Sequence, residues 1–172
     1  DIRPSRGLGD VYKRQEIQLT EWTTTPPQEI WRRPAGPAWS SFAVAGNLIF
    51  TQEQRGPKEV ISCYDGRNGE VVWLHQVPSR FDDPLGGPGP RGTPTLSQGN
   101  LFALGASGHM ICVDALTGRE IWARDLREIT GENPPMWGFS SSPLVTHDLV
   151  IVHAAGNEDL GIIAFDQGTG ET

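Results

Sequence analysis

The chain has 172 residues, 37% of them hydrophobic, and 21 Asp and Glu against 14 Lys and Arg give a formal net charge of −7. That acidity disfavours a nucleic-acid partner, whose phosphate backbone calls for a basic patch. The sequence also holds no apolar run near the ~20 residues that a membrane-spanning helix needs.

Residues 1–15 carry four basic and two acidic side chains, the opposite balance to the remainder, and match nothing downstream. The string resembles a translated adaptor sequence and is set outside the fold. Without it 10 basic and 19 acidic residues remain, a net of −9. Residues 16–38 read as an extended lead-in through Thr23-Thr24-Thr25-Pro26-Pro27. Within it, Glu29-Ile30-Trp31-Arg32-Arg33 has the look of a lone outer strand, the kind that closes a ring of repeats.

From residue 39 the chain repeats itself. Three phrases return at one phase: Tyr64-Asp65-Gly66-Arg67-Asn68-Gly69-Glu70-Val71-Val72-Trp73, Val113-Asp114-Ala115-Leu116-Thr117-Gly118-Arg119-Glu120-Ile121-Trp122, and Phe165-Asp166-Gln167-Gly168-Thr169-Gly170-Glu171-Thr172. The steps between their aspartates are 49 and 52 residues, and a glycine follows each aspartate by four. Upstream landmarks keep step, since Asp65 to Pro94 and Asp114 to Pro143 both span 29 residues. A period near 50 means stacked supersecondary units.

Each unit divides into short alternating runs parted by turn residues, the pattern of strands. The first runs are Phe42 to Ala45, Pro94 to Ser97 and Pro143 to Thr146; the second are Leu48 to Phe50, Leu101 to Leu104 and Leu149 to Val152. The third are Val60 to Tyr64, Met110 to Val113 and Gly161 to Phe165. After the Asp-x-x-x-Gly turn, Val71 to Leu74 and Glu120 to Ala123 make a fourth. Four strands per unit, with no helical period between them, is the pattern of one propeller blade. In the turn, Asp bonds amides two or three residues on and Gly takes the positive φ that closes it. The Trp four residues later suits a wedge between neighbouring blades.

These residues resemble the PQQ-like β-propeller repeat, whose signature is Ala-x-Asp-x-x-Thr-Gly-x-x-x-Trp. Residues 113–122 match it with Cys112 in the leading slot, residues 165–172 with Ala164 there, and residues 64–73 with Asn68 in place of Thr. The resemblance covers about residues 29–172. It implies an all-β fold, a partial β-propeller of about three four-stranded antiparallel blades from a ring of seven or eight. The blades are expected at 39–77, 78–126 and 127–172, the last cut at Glu171-Thr172 before its final strand. Three blades cannot close such a ring, so the expectation is an open arc of a longer protein.

In this reading Asp65, Gly69, Trp73, Asp114, Gly118, Trp122, Asp166, Gly170 and Trp31 are structural docking residues. Each aspartate recurs once per blade with a local bonding role, which argues against catalysis. Cys63 and Cys112 occupy one slot in adjacent blades, about 10 Å apart. They are read as buried and unlinked, because that spacing exceeds the ~7 Å reach of a disulfide. Ligand-facing positions fall where the innermost strand begins, beside the central channel. There Arg91 could clamp a carboxylate or phosphate, or pair with the preceding loop. Trp39 and Trp137 could stack on a planar ligand or pack beneath a loop, and Ser140 stands at the aligned position of the third unit. Asp82 and Asp83, before Gly86-Gly87-Pro88-Gly89-Pro90, could hold Ca²⁺ or belong to a solvated connector. His75, His109, His147 and His153 have no zinc-site spacing, and His147 is expected in an exposed hairpin turn.

No catalytic constellation is visible. The resemblance implies a non-catalytic scaffold that binds protein or peptide in the periplasm or outside the cell, with no cofactor evident. An alternative within the same family is a quinoprotein dehydrogenase that oxidises an alcohol or sugar with PQQ and Ca²⁺. The adjacent cysteine pair characteristic of those enzymes is missing here. A third reading is the extracytoplasmic sensor domain of a receptor or kinase.

Overall fold

A computed structural model describes residues 22–156 and 160–172. The tail at 1–15 and the start of the lead-in, residues 16–21, lie outside the described residues. The chain divides into a unit ending at Ile30 and a body from Trp31 to Thr172. In the first unit, residues 22–30 form a turn and then extended chain with no strand.

The body is all-β. Strands β1 (Ala43–Ala45), β2 (Leu48–Arg55), β3 (Lys58–Asp65) and β4 (Val71–Val77) form a first antiparallel sheet in chain order. Strands β5 (Asp82–Asp83) and β6 (Gly87–Pro88) make a small hairpin in the connector. A second four-stranded sheet comprises β7 (Thr95–Ser97), β8 (Asn100–Leu104), β9 (His109–Asp114) and β10 (Glu120–Asp125). Helix α1 (Leu126–Thr130) follows directly, and β11 (Leu144–Thr146), β12 (Leu149–His153) and β13 (Ile162–Asp166) form a third sheet of three strands.

The strands fall on the four expected runs of each unit. Three local differences have physical causes. Residues 29–33 form no strand, since no strand lies beside them among the described residues. The connector at 78–92 holds the β5–β6 hairpin, built around Asp83, whose carboxylate accepts from the Leu85 and Gly86 amides. Helix α1 exists because Asp125 caps it by accepting from the Arg127 amide at 2.9 Å, and Gly131 ends it at φ 72°. Its only buried residue is Leu126, so one apolar position with two caps suffices for five residues.

Each Asp-x-x-x-Gly turn is closed in one way. The glycine amide donates to the aspartate carbonyl at 2.7 Å in Gly69–Asp65, 2.8 Å in Gly118–Asp114 and 2.9 Å in Gly170–Asp166. Asp114 Oδ1 also accepts from the Thr117 amide and hydroxyl, and Asp166 Oδ1 accepts from the Thr169 amide. Where Asn68 replaces threonine, Asp65 accepts from Arg67 instead, through its amide and side chain. That guanidinium, with the amide, holds the Asp65 carboxyl down at about 2.

Between sheets, one contact occurs three times. The Trp31 indole N–H donates to the Gly66 carbonyl at 2.8 Å, Trp73 to Ala115 at 3.0 Å, and Trp122 to Gln167 at 2.9 Å. Each ring lies flat on the turn glycine of the following phrase. A Cβ on Gly69, Gly118 or Gly170 would stand 2.6 Å from the ring of Trp31, Trp73 or Trp122. All three glycines also have φ near 70°, so both the backbone and the ring exclude a side chain. Apolar cores fill the remaining contact. Phe50, Ile61, Cys63 and Trp73 meet Leu101, Ala103, Ile111 and Val113 between the first two sheets. Phe102, Met110, Cys112 and Trp122 meet Val150, Val152, Ile163 and Phe165 between the second and third. Both cysteines are buried and free.

One ionisable group lies inside the first of these contacts. Glu59 on β3 is buried, accepts from the Ala106 amide at 2.9 Å, and leaves Oε2 without a partner. Burial pushes its carboxyl up to about 7.

Two outcomes follow for stability. Trp122→Ala is expected to lower the unfolding free energy by about 3–5 kcal/mol, whereas His147→Ala, at an exposed turn, should change it by less than about 0.5 kcal/mol. Urea titration of both variants decides this, and equal shifts would mean that the indole is not wedged between sheets. For Glu59 the folded carboxyl binds its proton more tightly than the unfolded one. Its contribution is therefore full below pH ~4.5 and lost as pH rises through about 7, a change of about 3 kcal/mol. His109, whose pKa burial lowers, acts with the opposite sign near pH 6. The difference between wild type and Glu59→Gln isolates the Glu59 slope, and parallel profiles from pH 4.5 to 8 would refute it.

Candidate functional site

The connectors, not the sheets, build the one sizeable cleft that gathers residues singled out from the sequence. A cleft of about 440 Å³ is lined by Trp39, Leu85, Gly86, Arg91, Trp137 and Ser140. Trp39 comes from the segment before β1, Leu85 and Gly86 from the β5–β6 turn, and Arg91 from the chain leading to β7. Trp137 and Ser140 come from the connector before β11. All three sheet entries thus contribute, and the four expected channel-side residues Trp39, Arg91, Trp137 and Ser140 share one wall.

The two indoles are the exposed part. Trp39 is 67% exposed and Trp137 48%. Trp39 is nevertheless fixed, because its indole N–H donates to the Gly86 carbonyl at 2.8 Å and its amide to Pro90 at 2.9 Å. Its ring edge is committed and its face is open. The Ser140 side chain is exposed at the rim.

Arg91 is buried, with 7% of its side chain exposed, and forms an ion pair with the equally buried Asp83. It also donates to the Gly87 carbonyl at 2.8 Å and the Trp137 carbonyl at 3.2 Å, and lies 5.2 Å from the Phe81 ring centroid. The guanidinium therefore ties the β5–β6 hairpin to the connector that carries Trp137. Amide donors from Gly86 and Leu85, together with Arg91, hold the Asp83 carboxyl below its ordinary value despite burial. Of the reading that set an anion clamp against a salt bridge to the preceding loop, the salt bridge is the observed contact. One guanidinium nitrogen, Nη1, stays buried without a partner.

Asp82 pairs with Arg80 at 2.7 Å on the surface. Its neighbour Asp83 points into the hairpin, so the two carboxylates do not converge. Among the described residues no group of three His, Cys, Asp or Glu side chains is placed to hold a metal ion. The donor set around the cleft does not fit a calcium-bound quinone: both carboxylates are engaged, and the free cysteines lie in the cores between sheets. Leu85 and Gly86 escaped the sequence reading as lining residues. The only signal for them was their place in a glycine-rich loop long enough to fold back.

A curved row of antiparallel sheets, locked by a tryptophan on each turn glycine and carrying an aromatic cleft on its connectors, is the architecture of a β-propeller arc. Residues 57–172 match the family described as outer membrane protein assembly factor BamB, and the chain belongs to that family of PQQ-like propellers. Over 164 residues it is 28% identical to the outer membrane protein assembly factor BamB of Burkholderia pseudomallei (strain K96243), covering 92% of this chain and 36% of that protein. The chain thus spans about a third of the length of this curated relative. Among solved structures it resembles a europium-containing methanol dehydrogenase, with TM-score 0.57 and 20% identity over 80% of this chain and 24% of that one. It also resembles the quinohemoprotein alcohol dehydrogenase from Comamonas testosteroni, with TM-score 0.58 and 22% identity over 80% and 20% of the two chains. At these identities the dehydrogenases speak for the fold alone.

If Arg91 fastens the cleft, Arg91→Ala should cost more stability than Arg80→Ala, whose exposed pair is worth at most about 1 kcal/mol. It should also leave Trp39 and Trp137 more accessible to acrylamide quenching. Equal quenching in both variants would show that Arg91 does not hold the wall.

Proposed function

We propose that this chain is a non-catalytic propeller module that binds other proteins outside the cytoplasm, in the service of outer-membrane protein assembly, through the cleft between Trp39 and Trp137. The observation that carries the reading is the state of the cleft: two open indole faces over an arginine already neutralised by Asp83. Such a wall offers contact area to an uncharged, extended segment and little to an anion. Large aromatic side chains held rigidly lose little entropy on binding and recur as interface anchors. Membership of the assembly-factor family supports a protein partner, and the acidity of the chain supports the exclusion of nucleic acid. No helix among the described residues is long and apolar enough to cross a membrane.

The alternative, part of a PQQ-dependent dehydrogenase, is favoured by the likeness to two dehydrogenase folds and by the flat indole faces. Against it stands the missing set of carboxylate and cysteine groups.

One titration separates the two. An unfolded outer-membrane β-barrel protein, diluted from urea, should bind the chain, and Trp39→Ala with Trp137→Ala should weaken it about thirtyfold, the effect of losing an anchor of about 2 kcal/mol. Saturable quenching by PQQ that requires Ca²⁺, with no effect of the β-barrel protein, would reverse the assignment.

A further inference from the structure

The body carries a fourth strand that has no sheet, and a sheet that has no fourth strand. Trp31 and Arg33 make the same contacts as Trp122 and Arg124, one turn phrase apart. Trp31 donates to the Gly66 carbonyl as Trp122 does to Gln167, and Arg33 donates to the Gly69 carbonyl at 3.0 Å as Arg124 does to Thr169 at 2.8 Å. In the first two sheets such a tryptophan sits on a strand paired with the sheet before the turn that receives it. Trp73 stands opposite Cys63 and Trp122 opposite Cys112. Residues 31–33 are docked in that pose without any strand beside them among the described residues. Meanwhile β13, at the edge of the third sheet, has β12 on one side and nothing on the other.

The faces on either side of this gap match by register. Ile151, Ile162 and Ala164 in the third sheet stand where Phe102, Met110 and Cys112 stand in the second, each on the side that packs on the next sheet. Ile162 is 68% exposed. In the first sheet, Val44 and Ile49 stand where Leu96 and Leu101 stand in the second and Val145 and Val150 in the third. Those equivalents are buried against the preceding sheet. Val44 is 62% exposed, and Phe42 beside it 63%. Neither surface is an ordinary scatter of apolar residues, because each is one half of a contact that the chain makes twice internally.

We propose that the two halves meet between copies: Trp31–Pro34 of one chain completes the edge of β13 of another, and the third sheet of the second chain packs on the first sheet of the first. Trp31 keeps its present place on Gly69. By the register of the first two sheets, Trp31 then stands opposite Ala164, and Arg33 opposite Ile162. Pro34 ends the added strand, which is permissible at an outer edge where its missing N–H faces away from the ladder. The contact is heterologous, so it either closes or propagates. Two copies supply six sheets, within the four to eight blades of closed propellers, whereas three copies supply nine. The expected species is a closed dimer.

Light scattering or sedimentation of the 172-residue chain tests this. The expected result is a mass twice the 18.8 kDa of one chain, with Ile162→Asp and Val44→Asp each giving single chains of unchanged far-UV spectrum. Because both side chains are exposed within one chain, these variants should still fold. As a second measurement, Arg33→Cys chains mixed with Ile162→Cys chains should form disulfide-linked dimers that neither forms alone. A single-chain mass for the wild type overturns the proposal, as does a dimer that persists in both aspartate variants without the mixed disulfide. Larger species abolished by either aspartate would uphold the contact and overturn closure at two.

Discussion

An indole lying on a glycine holds this molecule together. The ring needs three conditions at once: a turn carbonyl for its N–H, a residue without Cβ beneath it, and a backbone at φ near 70° that keeps the turn tight. The aspartate phrase supplies all three within five residues, which is why the period is visible at all. Because the tryptophan comes from one sheet and the turn from the next, each docking fixes an inter-sheet distance rather than a fold within a sheet. The sheets can then vary internally, with strands of three to eight residues, and still stack at one spacing.

That division of labour explains where a binding surface can arise. The docking contacts occupy the turns after each third strand and leave the connectors before each first strand free to differ. Two of those connectors are long and rich in glycine and proline, and they fold against one another through Arg91. Its burial beside Asp83 would be costly for either charge alone, and the pair is tolerated because amides of Leu85 and Gly86 and carbonyls of Gly87 and Trp137 complete the shell. The consequence for chemistry is that the cleft presents aromatic faces while its cation is internally balanced.

What could be read in the sequence was whatever repeats. Strand order, turn closure and the Trp–Gly pairing each occur more than once, so composition and spacing reinforce one another along the chain. Trp39, Arg91, Trp137 and Ser140 could be grouped because they align at equivalent entries to the first strands, and the cleft does gather them. Their individual states could not be read, since these depend on contacts that occur once. Nothing local says that Asp83 rather than Asp82 turns inward, or that Trp39 bonds Gly86 across 47 residues. Helix α1 was hidden for a similar reason: five residues with a single buried leucine show no period, and only the caps define them.

The repeat also exposes where the first sheet departs from its own pattern. On the side away from the second sheet, Thr51, Glu53, Ser62 and Tyr64 occupy positions that carry Ala103, Ile111, Val113 and their neighbours one unit later. Glu53 is buried there and accepts from Ser62, Tyr64, Arg55 and the Gly36 amide. Burial alone would raise its pKa, yet those four donors hold it below the ordinary value. Such a network demands fixed partners in fixed places, and Gly36 belongs to the segment that carries Trp31. The polar half of this face is thereby reserved for the chain's own residues 31–37, while Val44, Ile49 and Phe42 stay open beside it. A flat apolar face would accept any sheet; this one admits only a neighbour that leaves the Glu53 cluster covered by its own strap.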